Sequence, residues 1–173
     1  MSTLTSLIAR LDLWLTRALD AAVIGLAGLL FVLLNIAVVT RFLFNNSVSW
    51  SEELPAHVLA ALTFIGAAYL TRTSEHLGFD AVIRLFPETV KRIVMAGNLI
   101  LMAFFGALLA WYGGIAAASF GSRMLISVDL PMALFRYAMP VGGALIALIS
   151  FTRLVGLLTG QVVPDDLLPE SDA

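Results

Sequence analysis

The stretch Ala21–Thr40, AAVIGLAGLLFVLLNIAVVT, runs for 20 residues without a charged side chain. A helix needs about 20 apolar residues to cross a hydrocarbon core roughly 30 Å thick. Three more uncharged runs follow, at Leu54–Thr71, Ile93–Ser122 and Tyr137–Thr152. Four such segments in 173 residues make lipid the main solvent of this chain and leave little for a domain outside it. The fold class predicted is an all-α integral membrane protein with four transmembrane helices, at about 18–44, 50–71, 88–122 and 130–159.

Composition agrees. Hydrophobic residues make up 60% of the chain and charged residues 13%, against about 25% charged in soluble domains. Soluble enzyme folds are poor candidates on that ground. A net charge of −2 gives no sign of nucleic-acid binding, and with no cysteine there is no disulfide, thiolate metal site or cysteine nucleophile. The first apolar run is longer than a signal-peptide core and follows an amphipathic stretch, so it reads as a retained span.

The segments between the runs give the architecture. Leu4, Leu7, Ile8, Leu11, Trp14, Leu15 and Ala18 recur at helical spacing, with Arg10, Arg17, Thr5 and Asp20 largely opposite. This predicts an N-terminal amphipathic interfacial helix before the first span, with Trp14 in the headgroup layer. Asn45-Asn46-Ser47 is a turn that ends the span, and Ser49-Trp50-Ser51-Glu52 has the pattern of a capping box opening the second. Phe79, Val82, Ile83 and Phe86 predict a short amphipathic helix between spans two and three, and Pro87-Glu88 a helix start. Asp129 is the expected cap of the fourth span, Pro140 the expected kink inside it, and Gly160 its terminator. Residues 1–163 form one membrane domain on this reading, and the acidic tail at 164–173 is expected to be disordered.

Span three is overlong, and in it Gly106, Ala110, Gly114, Ala118 and Ser122 recur every four residues. Small residues on one face let another helix approach closely, from this subunit or from a partner. Gly142 and Gly143 allow close packing beside Pro140. Arg10, Arg17, Arg72, Arg84, Lys91, Arg92 and Arg153 fall on one side of the membrane, and Arg41, Arg123 and Arg136 on the other. That bias puts both termini in the cytoplasm.

Little in the chain could carry chemistry. No nucleotide, zinc-protease or serine-hydrolase motif occurs, and the chain holds two histidines. No catalytic residue, substrate-binding residue, metal ligand or cofactor is expected. Asn35 and Asn98 are polar groups inside spans, suited to bonds between helices. His57 shares a helix face with Glu53, as a structural pair or a proton relay, and Arg72 and His76 share that spacing at the other end of span two. Arg72 and His76 complement a helix C-terminus, or contact lipid phosphate or a partner carboxylate. Trp50, Glu52 and Glu53 serve either as cap and interfacial anchor or as a contact to an extracytoplasmic partner.

The run Ser47-Val48-Ser49-Trp50-Ser51-Glu52-Glu53-Leu54 resembles the outer start of the second helix in the small membrane subunit (DctQ-type) of TRAP transporters. Gly66-Ala67-Ala68, Arg72, His76 and Asp80 follow in that family's order, Pro87 takes its Leu-Pro position with Phe86 in place of leucine, and Leu130-Pro131-Met132 through Tyr137, Pro140, Val141, Gly142 and Gly143 is similar to its last helix. The resemblance covers about residues 15–160. It implies a non-catalytic scaffold in the bacterial inner membrane, bound to a large membrane subunit that carries the substrate and sodium sites. A periplasmic binding protein would deliver the solute, a C4-dicarboxylate, sialic acid or other sugar acid, or an ectoine-like compound. It makes Trp50, Glu52 and Glu53 candidates for organising the outer face and Arg72 and His76 for the inner face, with membrane lipid as a further partner. The rival reading is a self-contained homo-oligomeric four-span channel or small exporter.

Overall fold

A computed structural model of the chain describes residues 2–73, 86–120 and 122–160, and of 2–12 the backbone alone. Helix α1 spans Ser2–Leu43, α2 Glu53–Thr73, α3 Glu88–Phe120, the single-turn α4 Ala133–Arg136 and α5 Ala138–Thr159. The described residues form no strand, and α1, α2, α3 and α4–α5 are each long and apolar enough to cross a membrane. His76, the amphipathic segment around Phe79–Ile83 and the tail at 164–173 lie outside the described residues, as do the side chains of the first amphipathic turns.

Sequence reasoning separates a surface helix from span one; the structure has no break between them. Helix α1 is 42 residues long, about 63 Å at 1.5 Å per residue. No glycine or proline stands between residues 2 and 24 to end a helix there. The helix closes where Asn45 takes a left-handed φ of 51° and the Asn46 amide donates to the Thr40 carbonyl at 3.2 Å. Asparagine tolerates that conformation better than most residues.

Two other boundaries differ from expectation. Helix α2 starts at Glu53 rather than near residue 50, and Ser49 and Glu52 are both exposed, with no capping-box bond between them. The Trp50 carbonyl accepts from Leu54 instead, at 3.1 Å. Asp129 does not cap the fourth span. It sits on an exposed bend, and Met132 is the residue before α4. Pro140 stands in the first turn of α5, and the expected disturbance lies just ahead of it, a one-residue interruption at Tyr137 whose φ −66° and ψ −15° stay helical. A proline removes the amide that would bond four residues back and crowds that carbonyl, so α4 and α5 divide ahead of it. At the far end Gly160 closes α5 in the left-handed conformation at φ 73°, donating to Gly156.

The helices are ordered in space α1, α2, α5, α3, each packed chiefly on its neighbours in that row. Helix α5 holds the centre through two adjacent glycines. A Cβ on Gly142 would stand 2.5 Å from the Phe64 carbonyl oxygen of α2. One on Gly143 would stand 2.6 Å from the Ala110 nitrogen of α3. Neighbouring helix positions point about 100° apart, so the Gly142-Gly143 pair brings one backbone against each flanking helix. Met95, Leu99 and Leu157 form the buried cluster between α3 and α5, with Leu154 and Ala96 against it. Helix α1 lies at the edge of the row, with Leu19 and Leu33 as its buried positions among the described side chains.

Candidate functional site

The two ends of the row carry the polar contacts between helices, and each is built differently. At the Glu53 end, α2 begins beside the segment that joins α3 to α4. That segment folds on itself: Met124 and Pro131 pair as an antiparallel bridge, the Leu125 amide donates to the Leu130 carbonyl at 2.9 Å and the Met132 amide to the Arg123 carbonyl at 2.9 Å. Leu125 is buried under it while Ile126 points out at 96% exposure. The Glu53 carboxylate reaches across and accepts from the Ile126 amide at 3.0 Å, the Ser127 amide at 2.8 Å and the Ser127 hydroxyl. An ionised carboxylate taking several such bonds is a strong acceptor. It locks this connecting segment to the start of α2.

His57 does not bond the Glu53 carboxylate. Its Nδ1 lies 2.7 Å from the Glu53 backbone carbonyl, and its ring leans on Phe135 with centroids 5.8 Å apart. The imidazole therefore docks α2 against α4, and this geometry holds no relay between the two side chains. Trp50 is half-buried in the turn before α2, and Glu52 is exposed. Replacing Glu53 with alanine is expected to speed hydrogen exchange of the Ile126 and Ser127 amides, with Glu53→Gln in between. Unchanged exchange in peptides covering 122–132 would mean that the carboxylate does not hold this segment.

At the other end, arginines close the helix termini. The last four carbonyls of a helix lack intrahelical donors. Arg153 of α5 donates to two of them in α2, Thr71 O at 2.7 Å and Arg72 O. Arg92 of α3 donates to Leu157 O of α5 at 2.6 Å and reaches Leu158 O at 3.4 Å. Arg72 Nε donates to Thr16 Oγ1 of α1 at 2.8 Å. Each bond joins neighbours in the row, so α1, α2, α5 and α3 are tied in sequence at this end. Cations also suit the negative end of a helix. Sequence reasoning picked out Arg72 and not Arg92 or Arg153, whose partners lie 65 and 82 residues away.

The small-residue row of α3 is divided. Gly106 sits where a Cβ would meet Ala147 N at 2.6 Å and Gly143 O at 2.8 Å, and Ala110 faces Gly143. A Cβ on Gly114 would meet nothing within 4 Å, and Ala118 is exposed. The seam continues through Gly113, packed on Met139 and Pro140, and the buried Ala117. Steps of four turn a helix by about 40° too far, whereas 106, 110, 113 and 117 hold one face. Neither Asn35 nor Asn98 bonds another helix of this chain among the described residues. Asn35 Nδ2 donates to Phe31 O of its own helix at 2.7 Å, and both residues are exposed. Among the described residues no three His, Asp or Glu come close enough to hold a metal ion.

Residues 30–160 match the family model described as tripartite ATP-independent periplasmic transporters, DctQ component. A Haemophilus influenzae protein provisionally named as a TRAP transporter small permease is 23% identical over 145 residues, covering 84% of this chain and 90% of the relative. The C4-dicarboxylate TRAP transporter small permease DctQ of Pseudomonas aeruginosa is 28% identical over 121 residues, 67% of this chain and 58% of the relative. The sialic acid TRAP transporter small permease SiaQ of Vibrio cholerae is 23% identical over 136 residues, 78% of each.

Proposed function

The chain belongs to the DctQ component family of tripartite ATP-independent periplasmic transporters and is a multi-pass small permease subunit of that type, and we propose that its role is to scaffold the large membrane subunit. In this reading the complex imports a carboxylate-type solute with sodium, delivered by a periplasmic binding protein. Both small-permease relatives named for a solute are named for carboxylates, a C4-dicarboxylate and sialic acid. The protein sits in the inner membrane with both termini cytoplasmic, which places the arginine-tied end inside and the Glu53 latch outside. The basic residues favour that orientation.

The observation that carries the scaffold reading is the pair of exposed amides. Asn35 lies on the edge helix α1, and Asn98 on the outward side of α3. Hydrocarbon offers an amide no hydrogen-bond partner, and a polar group left there is costly. A second membrane protein along these faces would supply partners for Asn98 and for the Asn35 carbonyl oxygen, which the bond from its Nδ2 to Phe31 O leaves unmet. A channel or exporter acting alone would use polar groups to line a lumen, whereas these face away from the chain's own helices.

The test is a tagged pull-down from native membranes in mild detergent, read by mass spectrometry. Recovery of one large polytopic membrane protein near equal stoichiometry is expected. Asn35→Leu and Asn98→Leu should lower that recovery while leaving the isolated chain's thermal stability unchanged. Recovery of this chain alone, as a homo-oligomer, would favour the channel or exporter reading. The same preparation with Trp50, Glu52, Arg72 and His76 changed singly to alanine asks whether these candidates contribute to assembly or uptake.

A further inference from the structure

The basic-poor end of the row holds Arg41, Arg123 and Arg136, three of the chain's ten basic residues. Two of the three converge on one ring. The Arg123 guanidinium carbon lies 5.0 Å from the Phe120 ring centroid and that of Arg136 5.3 Å. The two cations are therefore no more than about 10 Å apart. Neither makes an ion pair among the described residues, although Asp129 stands in the same connection. Arg136 Nε is buried without a hydrogen-bond partner, and Arg136 Nη2 has the Met132 sulfur at 3.6 Å, a weak acceptor. Two like charges set against one ring, one of them with a buried donor unmet, are a costly arrangement that an anion would relieve.

The place of the pair in the fold says which anion. Phe120 is the last residue of the membrane-crossing α3, and the half-exposed Tyr137 opens α5. Tyrosine at a span end marks the depth of lipid headgroups, and Tyr137 does so here. Exposed apolar side chains flank the arginines in sequence, Met124 at 58%, Ile126 at 96% and Leu134 at 63%, with Ser122 and Asp129 as the exposed polar ones of the same connection. Apolar surface flanking paired guanidiniums suits a phosphate that carries acyl chains more than a freely dissolved ion. Guanidinium binds phosphate oxygens in a two-pronged fashion, and headgroup phosphate is abundant at this depth. We propose that Arg123 and Arg136, set on Phe120, form a binding site for the phosphate of an anionic phospholipid headgroup. The Glu53 latch is what keeps the connection carrying Arg123 in place beside α4. The site does not depend on the transporter role.

The experiment is native mass spectrometry of the full chain released from micelles containing phosphatidylglycerol or phosphatidylcholine. The wild-type chain is expected to retain at least one phosphatidylglycerol more than the double variant Arg123→Gln/Arg136→Gln, with that site's affinity falling roughly tenfold or more. The Arg123→Lys/Arg136→Lys pair keeps the charge and loses the forked geometry, so it should retain this lipid less well than wild type even if the glutamine pair fails to fold. Equal retention by wild type and the lysine or glutamine pair would overturn the proposal. So would displacement of the lipid by millimolar inorganic phosphate, which would make the site one for free phosphate. Loss of the large-subunit pull-down in the glutamine pair with lipid retention unchanged would assign the arginines to a protein carboxylate, and the lipid site would fall.

Discussion

Gly143→Ala should destabilise the chain by about 3 kcal/mol, while Gly114→Ala, the same chemical change one face away, should leave it unchanged or stabilise it. The added methyl on Gly143 would stand 2.6 Å from Ala110 N, 2.7 Å from Leu109 Cβ and 2.8 Å from Gly106 O. Two of those three atoms are backbone, so no rotamer change relieves the contact and α3 must move away from α5. Overpacking typically costs 1–3 kcal/mol, and a seam between two helix backbones belongs at the upper end. Gly106→Ala should behave alike, since its methyl would press on Ala147 N and Gly143 O from the other side. These two should be less than additive, because either one already parts the same seam. Gly114 has nothing within 4 Å, and alanine is favoured over glycine inside a helix by about 1 kcal/mol. Thermal unfolding of the purified chain in mild detergent reads all three. A Gly143→Ala chain as stable as wild type would mean that α3 and α5 pack more loosely than the glycine contacts require. An equally large loss at Gly114 would mean that another copy or protein covers it.

The contrast between Gly143 and Gly114 also shows where the sequence stops being legible. Four spans follow from runs of uncharged residues, because the cost of charge in hydrocarbon acts on each segment by itself. Gly160, the turn at Asn45 and the start of α3 after Pro87 are local for the same reason and are where the pattern puts them. The small-residue row is visible in the sequence, but a step of four drifts off one face, because four residues turn the helix by about 40° past a full turn. Contacts between distant segments left no local trace. Glu53 looks like part of a helix cap and instead binds a segment 73 and 74 residues further on. Ser127, Phe120 and Arg136 carry no pattern of their own. The one hint was that arginines on the basic-poor side run against the charge bias, which asks for a local reason to keep them.

Arg153 has such a reason on the basic side, and it can be separated from topology. Its two donations to Thr71 O and Arg72 O satisfy carbonyls that α2 cannot satisfy alone. Thr71 is buried at 3% exposure, so water is a poor substitute there. Arg153→Met keeps the apolar stem and removes the donors. It should cost about 2 kcal/mol, the scale of hydrogen bonds to charged groups, and speed exchange in the last turn of α2. Arg153→Lys should recover part of the loss, since an ammonium lacks the fixed fork that reaches two carbonyls at once. If the arginine mattered only as one of seven basic residues setting orientation, the lysine variant would equal wild type and the methionine variant would affect membrane topology alone. With six of the seven left, topology reporters on both termini should read the same in every variant while stability falls. Unaltered unfolding of the Arg153→Met chain would reduce this residue to a topology signal. A graded loss, arginine above lysine above methionine, would make it the clasp that holds α2 to α5, and so the route by which the edge helix α1, tied to α2 through Arg72 and Thr16, stays joined to the centre of the row.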